Sequence, residues 1–325
     1  MNRSVALESL DQLVACWPDL EHLSWPHVFA LPGWLAAWWN AFGDGAELCL
    51  RAVKEEETVL GIAPLRLEAG EASFIGSPDV CDYLDFIVAP GRERQFFDIL
   101  LADLRQRGIS RLHMECLRPD SAVLTGLVPA ARDRGYEVSC KAQDVSVEVE
   151  LPDTWEGYQQ MLGSKQAREL RRKLRRVWEV GDMDYQSIAD SDAIPGAVDT
   201  FLALMRASRE DKAAFMTAQR ESFFRAAAEN MARGGLLRLD ILRLNSTPVA
   251  AVTCFDYQDR VYLYNSGYDP DYSYLSVGLL SKALCIKDSI QKGMKVFDFL
   301  KGGEVYKYRL GGKEVPIYSC QVRLE

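Results

Sequence analysis

Apolar positions change their period repeatedly along the chain, and each change marks an element. Alternation over 47–53 (ELCLRAV) and 58–67 (TVLGIAPLRL) predicts a strand hairpin around the polar turn Lys54–Glu57. Upstream, HVFALPGWLAAWWNAF sets Trp34 and Trp38 at helical i, i+4 spacing. Further strands are expected at 82–90 (DYLDFIVAP), 111–117, 136–140 and 145–151. Helices at 92–107 and 120–134 are stopped by Gly108 and Gly135.

The second half repeats that order. Helices are predicted at 193–209 and 219–233, then strands at 236–244, 248–256 and 260–267. A helix at 276–292, stopped by Gly293, leads into strands at 295–300 and 316–324. In both halves a hairpin is followed by a helix of about four turns, a glycine and a short buried strand, which is the pattern of a duplication. The fold class expected is α/β (α+β) with a mixed, mostly antiparallel sheet flanked by helices in each half. The boundaries drawn are 1–150 for the first domain, 151–181 for a helical connector and 182–325 for the second domain.

That connector changes the picture of charge. Ala167, Leu170, Leu174, Val177 and Trp178 fall on one apolar stripe at helical spacing. Lys165, Arg168, Arg171, Arg172, Lys173, Arg175 and Arg176 put seven cations into twelve positions of a chain whose net charge is −9. Such a helix is a solvated face docked through its stripe, or a site for phosphates or an anionic membrane surface.

Composition narrows the chemistry. The acidic balance excludes bulk nucleic-acid binding, and no apolar run reaches a membrane span. Acids interrupt the first stretch, MNRSVALESLDQLVACWPD, so no secretion leader is expected and the localisation expected is cytoplasmic. The eight cysteines show no C-x-x-C and sit mostly in apolar runs, which predicts free, buried thiols. Three histidines (22, 27 and 113) without ligand spacing predict no metal. Carboxylates, tyrosines, lysines and backbone are left to do the chemistry.

Three stretches concentrate those groups. In VFDFL, Asp298 projects between Val296 and Leu300, where an unpaired carboxylate costs several kcal/mol, so it needs a partner or a raised pKa. Glu304, Tyr306, Lys307, Tyr308 and Arg309 follow after Gly302 and Gly303. In YLYNSGYDPDYSYLSVGLL, a strand runs through a polar loop into a helix starting near Ser276 or Gly278. This is either an ordinary capped helix with Ser276 as N-cap or an anion site at a helix start. In CDYLDFIVAP, Asp82 and Tyr83 fall near the end of an SPDVCDY loop and Asp85 lies inside the strand pattern; an aspartate here could simply cap a turn. A fourth stretch, SREDKAAF (208–215) with Lys212, is an acceptor-side loop or a linker.

The element order and the strings GYDPDYSYLSVG (267–278) and FDFLKGGEVYK (297–307) resemble the GNAT acyltransferases. Within them the resemblance is to the CelD/BcsL-type branch, related to FemAB-like tandem GNAT proteins. WLAAW (34–38), Pro64-Leu65, Asp82-Tyr83-Leu84-Asp85 and RELRRKLRR (168–176) carry it along nearly the whole chain. The resemblance implies acyl transfer from a coenzyme A thioester to an amine, with acyl-CoA as co-substrate and no metal. Laid on the family's diphosphate turn, the window falls on Ser273, Ser276 and Gly278, where only the last glycine is kept. The basic helix then replaces the missing arginine or holds an anionic acceptor.

On that resemblance the catalytic residues expected are Asp298 as first choice of base, Glu304 and Asp82 behind it, and Tyr306 and Lys307 near the leaving thiolate. Tyr264, Asn265, Ser266, Ser273, Ser276 and Gly278 are expected at the donor. Tyr83, Arg168, Arg171 and Lys212 are expected at the acceptor. The acceptor implied is an amine on a sugar, on an envelope polysaccharide precursor or on a sphingoid-type base. In the last case the cationic helix and the Trp-rich segment would face the membrane. No DNA partner is expected, and tRNA enters only if the donor is aminoacyl-tRNA, as in FemAB relatives. The rival from another class is a non-catalytic assembly protein of a polysaccharide locus.

Overall fold

The computed structural model describes residues 2–325. The chain divides into two compact units, one made of residues up to Asp144 with Val315–Glu325, the other of Val145–Glu314.

The first unit contains β1 (Asn2–Ala6), α1 (Leu10–Cys16), α2 (Pro32–Phe42), β2 (Glu47–Glu55), β3 (Thr58–Glu68), β4 (Glu71–Phe74), β5 (Ile87–Val88), α3 (Glu93–Gln106), β6 (Arg111–Leu117), α4 (Val128–Asp133) and the first part of β7 (Glu137–Glu150). Its strand order is β1-β2-β3-β4-β6, with β5 paired to β3, and the terminal strand β13 (Lys313–Arg323) joins at β6. The Trp-rich helix is core, not a membrane-facing surface. Trp34 and Trp38 are buried, and their indole N–H groups donate to Cys81 Sγ and Ser77 Oγ. The expected strand at 82–90 shortens to Ile87–Val88 because Asp85 is drawn elsewhere. Its carboxylate accepts the N–H groups of Phe86, Ala122 and Val123, the last two at the start of the helical turn Val123–Leu127 that follows β6.

The second unit continues with α5 (Trp155–Met161), α6 (Ser164–Val180), β8 (Met183–Ile188), α7 (Ile194–Ser208), α8 (Glu210–Phe215), α9 (Ala218–Arg233), β9 (Leu237–Leu244), β10 (Thr247–Tyr257), β11 (Arg260–Tyr268), α10 (Val277–Gln291), β12 (Val296–Lys301) and α11 (Val305–Arg309). Its order is β7-β12-β11-β10-β9-β8, antiparallel except for β11 with β12. The basic helix α6 is part of this unit and docks on it through Ala167, Leu170, Leu174 and Val177. Stretch 208–215 is helical (α8), with Glu210 and Asp211 favourably placed in its first turn.

The division of the chain differs from the expected boundaries at its end. β13 returns to the first unit because Tyr318–Arg323 complete the ladder of β6. The same neighbourhood corrects the expectation of free thiols, since Cys140 and Cys320 form a disulfide. The other six cysteines are free, five of them buried. No helix among the described residues is long and apolar enough to cross a membrane.

In each unit one strand, a helix and a second strand form a parallel pair: β4 with β6 around α3, and β11 with β12 around α10. Each pair is short, running Glu71↔Arg111 to Ser73↔His113 in the first and Arg260↔Val296 to Tyr262↔Asp298 in the second. The duplicated pattern of the sequence is this repeated splayed pair.

Candidate active site

A parallel pair that parts after three residues exposes backbone groups on both inner edges, and these need partners. The first unit fills its gap with its own chain. Leu84 N–H donates to Cys116 O at 3.1 Å, and the Gln143 side chain accepts Cys116 N–H at 3.3 Å. In the second unit, charged side chains gather at the gap instead.

Asp298 sits at the closed end. It is fully buried, with Oδ2 3.2 Å from Arg260 Nη1 and Oδ1 accepting Leu300 N–H at 2.8 Å. Arg260 also meets Glu148 at 2.5 Å. The second bond supports Leu300 at φ 62°, a left-handed conformation costly for a leucine, and this bend turns β12 away from β11. Beyond it Gly302 adopts φ 100°, where a Cβ would also press on the Glu304 carboxylate at 2.9 Å. Lys307, buried, donates to the carbonyls of Leu300, Lys301 and Gly302 at 2.7–2.9 Å and pairs with Glu304 at 2.8 Å. It ties the open end of β12 together.

On the facing edge, the β10–β11 register skips Tyr264, since Thr253 pairs Asn265 and Cys254 pairs Leu263. Bulges of this kind re-aim backbone beside active sites. The Tyr264 ring packs between Phe224 and Phe255, 5.4 Å from each. Gly267 lets α7 lie directly on β11, because a Cβ there would meet Met205 N at 2.2 Å.

Two lysines close over this region. Lys212 of α8 donates to Ser266 O and, at 3.1 Å, to Asn265 Oδ1. Lys282 of α10 is buried, donates to Gly278 O at 2.8 Å and lies 4.9 Å over the Tyr306 ring. Burial, then the charge of Lys212, pushes the Lys282 ammonium down to about 7. Burial, then Arg209, lowers Lys212 to about 8. Burial raises Glu304, but its bond to Lys307 and the charges of Lys307 and Lys212 leave it below the ordinary carboxylate value. Lys212, Lys282 and Glu304 thus form one electrostatic group.

A second feature adjoins the start of α10. Ser276 does not cap this helix through its side chain. It sits in the left-handed region (φ 61°), and its Oγ receives Lys173 Nζ of α6 at 2.5 Å. The N–H groups of Val277 and Gly278 donate to no protein group among the described residues. A groove of about 360 Å³ opens here, lined by Lys165, Glu169 and Lys173 of α6, Leu279 of α10 and Arg309 of α11. Three cations, one carboxylate and a helix N-terminus make it anion-binding in character. Gly278 lies against the Tyr268 ring, which a Cβ would meet at 3.0 Å.

Of the residues expected from sequence, the second unit gathers Asp298, Glu304, Tyr306, Lys307, Lys212, Asn265 and Ser266 around the gap; Ser276 meets the groove through Lys173, and Gly278 precedes Leu279 of its lining. Ser273 is exposed on the short helical turn before it. Arg168 and Arg171 are exposed on α6 and do not line the groove. Asp82 and Tyr83 belong to the first unit, where Tyr83 is buried with Arg118 5.1 Å over its ring. Lys282 and Arg260 were missed, and Lys173 was expected only as one of the seven cations of the basic helix. The signal for Lys282 was a lone lysine on an otherwise apolar helix face.

A buried cluster lies outside this site. Ligand atoms of Asp240, Cys254 and Cys285 fall within 4.8 Å of one another. Arg238 stands among them, Nη1 3.3 Å from Asp240 Oδ2 and Nη2 3.6 Å from Cys285 Sγ, and it also pairs with Asp256 and Asp288. Its guanidinium supplies the positive charge that the cluster needs.

The splayed parallel pair, the bulge beside it and the helix N-terminus between the strands are those of a GNAT fold, repeated in tandem. Residues 164–308 match the family described as an acetyltransferase (GNAT) domain. Among solved structures, FemX is similar over 98% of this chain and 96% of that one (TM-score 0.65, 11% identity). A tandem GNAT protein from the clavulanic acid biosynthesis pathway is similar over 100% and 98% (TM-score 0.50, 12% identity). L-PGS from Bacillus licheniformis is similar over 88% and 90% (TM-score 0.51, 10% identity). At these identities the likeness is one of fold. No curated protein matches the sequence.

Proposed function

We propose that the chain is an N-acyltransferase moving an acyl group from acyl-coenzyme A to an amine. The thioester lies in the gap between β11 and β12, and the diphosphate lies in the groove at the start of α10. The parting of the strands after Tyr262 and Asp298 carries this reading. It leaves β11 backbone to receive the acyl carbonyl near a lysine that burial lowers to about 7. Lys165, Lys173 and Arg309 stand in for the basic residue that the turn at 273–278 lacks.

The acceptor's free amine attacks the thioester carbonyl, forming the C–N bond and an oxyanion that N–H groups of the unpaired β11 edge suit. Collapse breaks the C–S bond. The nitrogen gives up a proton and the departing thiolate gains one, and Lys282 is matched to carrying it between them. Asp298 and Lys307 are positioning residues, already engaged in shaping β12. Glu304 sets the charge around both lysines, and Lys212 holds the β11 edge. The finer resemblance to the CelD/BcsL branch supports an acceptor amine on an envelope sugar or a sphingoid-type base.

Calorimetry with free, acetyl- and palmitoyl-coenzyme A tests the reading. Saturable binding of at least one is expected. Binding of aminoacyl-tRNA with none to coenzyme A would make the donor tRNA-borne, and binding of neither would favour a non-catalytic assembly protein.

A further inference from the structure

Helix α6 carries two stripes with the same i, i+3, i+7, i+10 spacing. Ala167, Leu170, Leu174 and Val177 face the core. Arg168, Arg171, Arg175 and Trp178 form the other, and all four are exposed. At 100° per residue this outer stripe also turns away from Lys173, which reaches Ser276 at the groove. The helix therefore presents different cations to the groove and to solvent.

The outer stripe is little neutralised. Among the described residues Arg168 and Arg171 meet no carboxylate, and Arg175 meets Glu179 at 3.5 Å. Trp178, 51% exposed, closes the outer stripe at the C-terminal end of the helix. An RNA would reward the arginines but finds only this one ring on the stripe to stack on. An anionic bilayer rewards the whole stripe: arginines at the headgroups and Trp178 at the interface.

We propose that α6 is a peripheral docking surface for an anionic membrane, lying along the interface over about 25 Å through Arg168, Arg171, Arg175 and Trp178. Surface docking of this kind needs no spanning segment, and it would bring a lipid-borne substrate to the protein. It stands independently of the coenzyme A reading.

The test is sedimentation of the full chain with vesicles of phosphatidylcholine alone or with about 30% phosphatidylglycerol, at low and high salt. Binding is expected to the anionic vesicles only and to fall with salt. The triple variant Arg168→Gln, Arg171→Gln, Arg175→Gln should bind about 100-fold more weakly, and Trp178→Ser should weaken binding severalfold. These side chains are exposed, so an unchanged unfolding midpoint verifies that the variants fold. Absence of binding at low salt, equal binding to neutral vesicles, or a triple variant that binds like the parent overturns the proposal. So does tRNA binding that the triple variant loses while vesicles are ignored.

Discussion

Tyr262 and Asp298 are the last partners across the parallel pair of β11 and β12. Past them Leu300 takes a left-handed conformation held by the Asp298 carboxylate, so the residue that ends the pairing also builds the bend that opens the gap. The acid that stood out in the sequence as costly is compensated on both oxygens.

That compensation predicts unequal costs. Arg260→Leu leaves Asp298 buried without its cation and should destabilise by about 3–5 kcal/mol. Asp298→Asn keeps an acceptor for Leu300 N–H and should cost less, about 1–3 kcal/mol. Denaturant midpoints measure both. A larger loss for Asp298→Asn would show that Arg260 is not its essential partner.

Lys282 makes stability depend on pH with a defined sign. Its folded pKa, about 7, lies below the ordinary 10.5, lowered first by burial and then by Lys212. Below about pH 7 the folded protein bears the full penalty of a buried ammonium. Between about 7 and 10.5 the unfolded chain binds the proton and the folded one does not, so stability rises with pH across this window. Lys282→Met should raise the thermal midpoint most at about pH 6, with the gain shrinking toward about pH 10. A gain independent of pH would contradict the desolvated lysine.

Gly267 tests how α7 supports the splayed strand. A methyl group there meets backbone at 2.2 Å, which no side-chain rotation relieves. Gly267→Ala should lower stability by about 2 kcal/mol or more, whereas Gly196→Ala, with open space around its Cβ position, should fall within about 0.5 kcal/mol. Similar costs at both positions would contradict the packing described.

Much of the fold was legible because it rests on local signals. Residues 111–117 alternate and form β6, and glycines stop α3 and α10 where they were expected to. Stretch 82–90 misled because only its Ile87 and Val88 join a ladder, with β3, while Asp85 spends its carboxylate on the N–H groups of Ala122 and Val123 beyond β6. The end of the chain misled because strand partnership is non-local, and nothing within 316–324 reveals that β6 is its neighbour. In the site, residue types concentrated in one stretch were visible, as with Glu304 and Lys307. Lys282 was not, since its meaning comes from Tyr306 across the fold, and Lys173 stood as one cation among seven until its contact with Ser276 set it apart.

Lys173 should matter to the donor's phosphates and not to its acyl chain. Lys173→Ala is expected to weaken free and acetyl-coenzyme A about tenfold alike, and to reduce the salt dependence of binding. Calorimetry at two salt concentrations reads this. Unchanged affinity would remove the groove from the donor site.

Hydrogen exchange with and without acetyl-coenzyme A tests the central claim most directly. If the donor occupies the gap, protection should concentrate in the part of β11 beyond its pairing with β12, Leu263–Tyr268, and in the first turn of α10 from Val277, with the β4–β6 region unchanged. Binding that protects neither segment, or protects β4 and β6 instead, would contradict it.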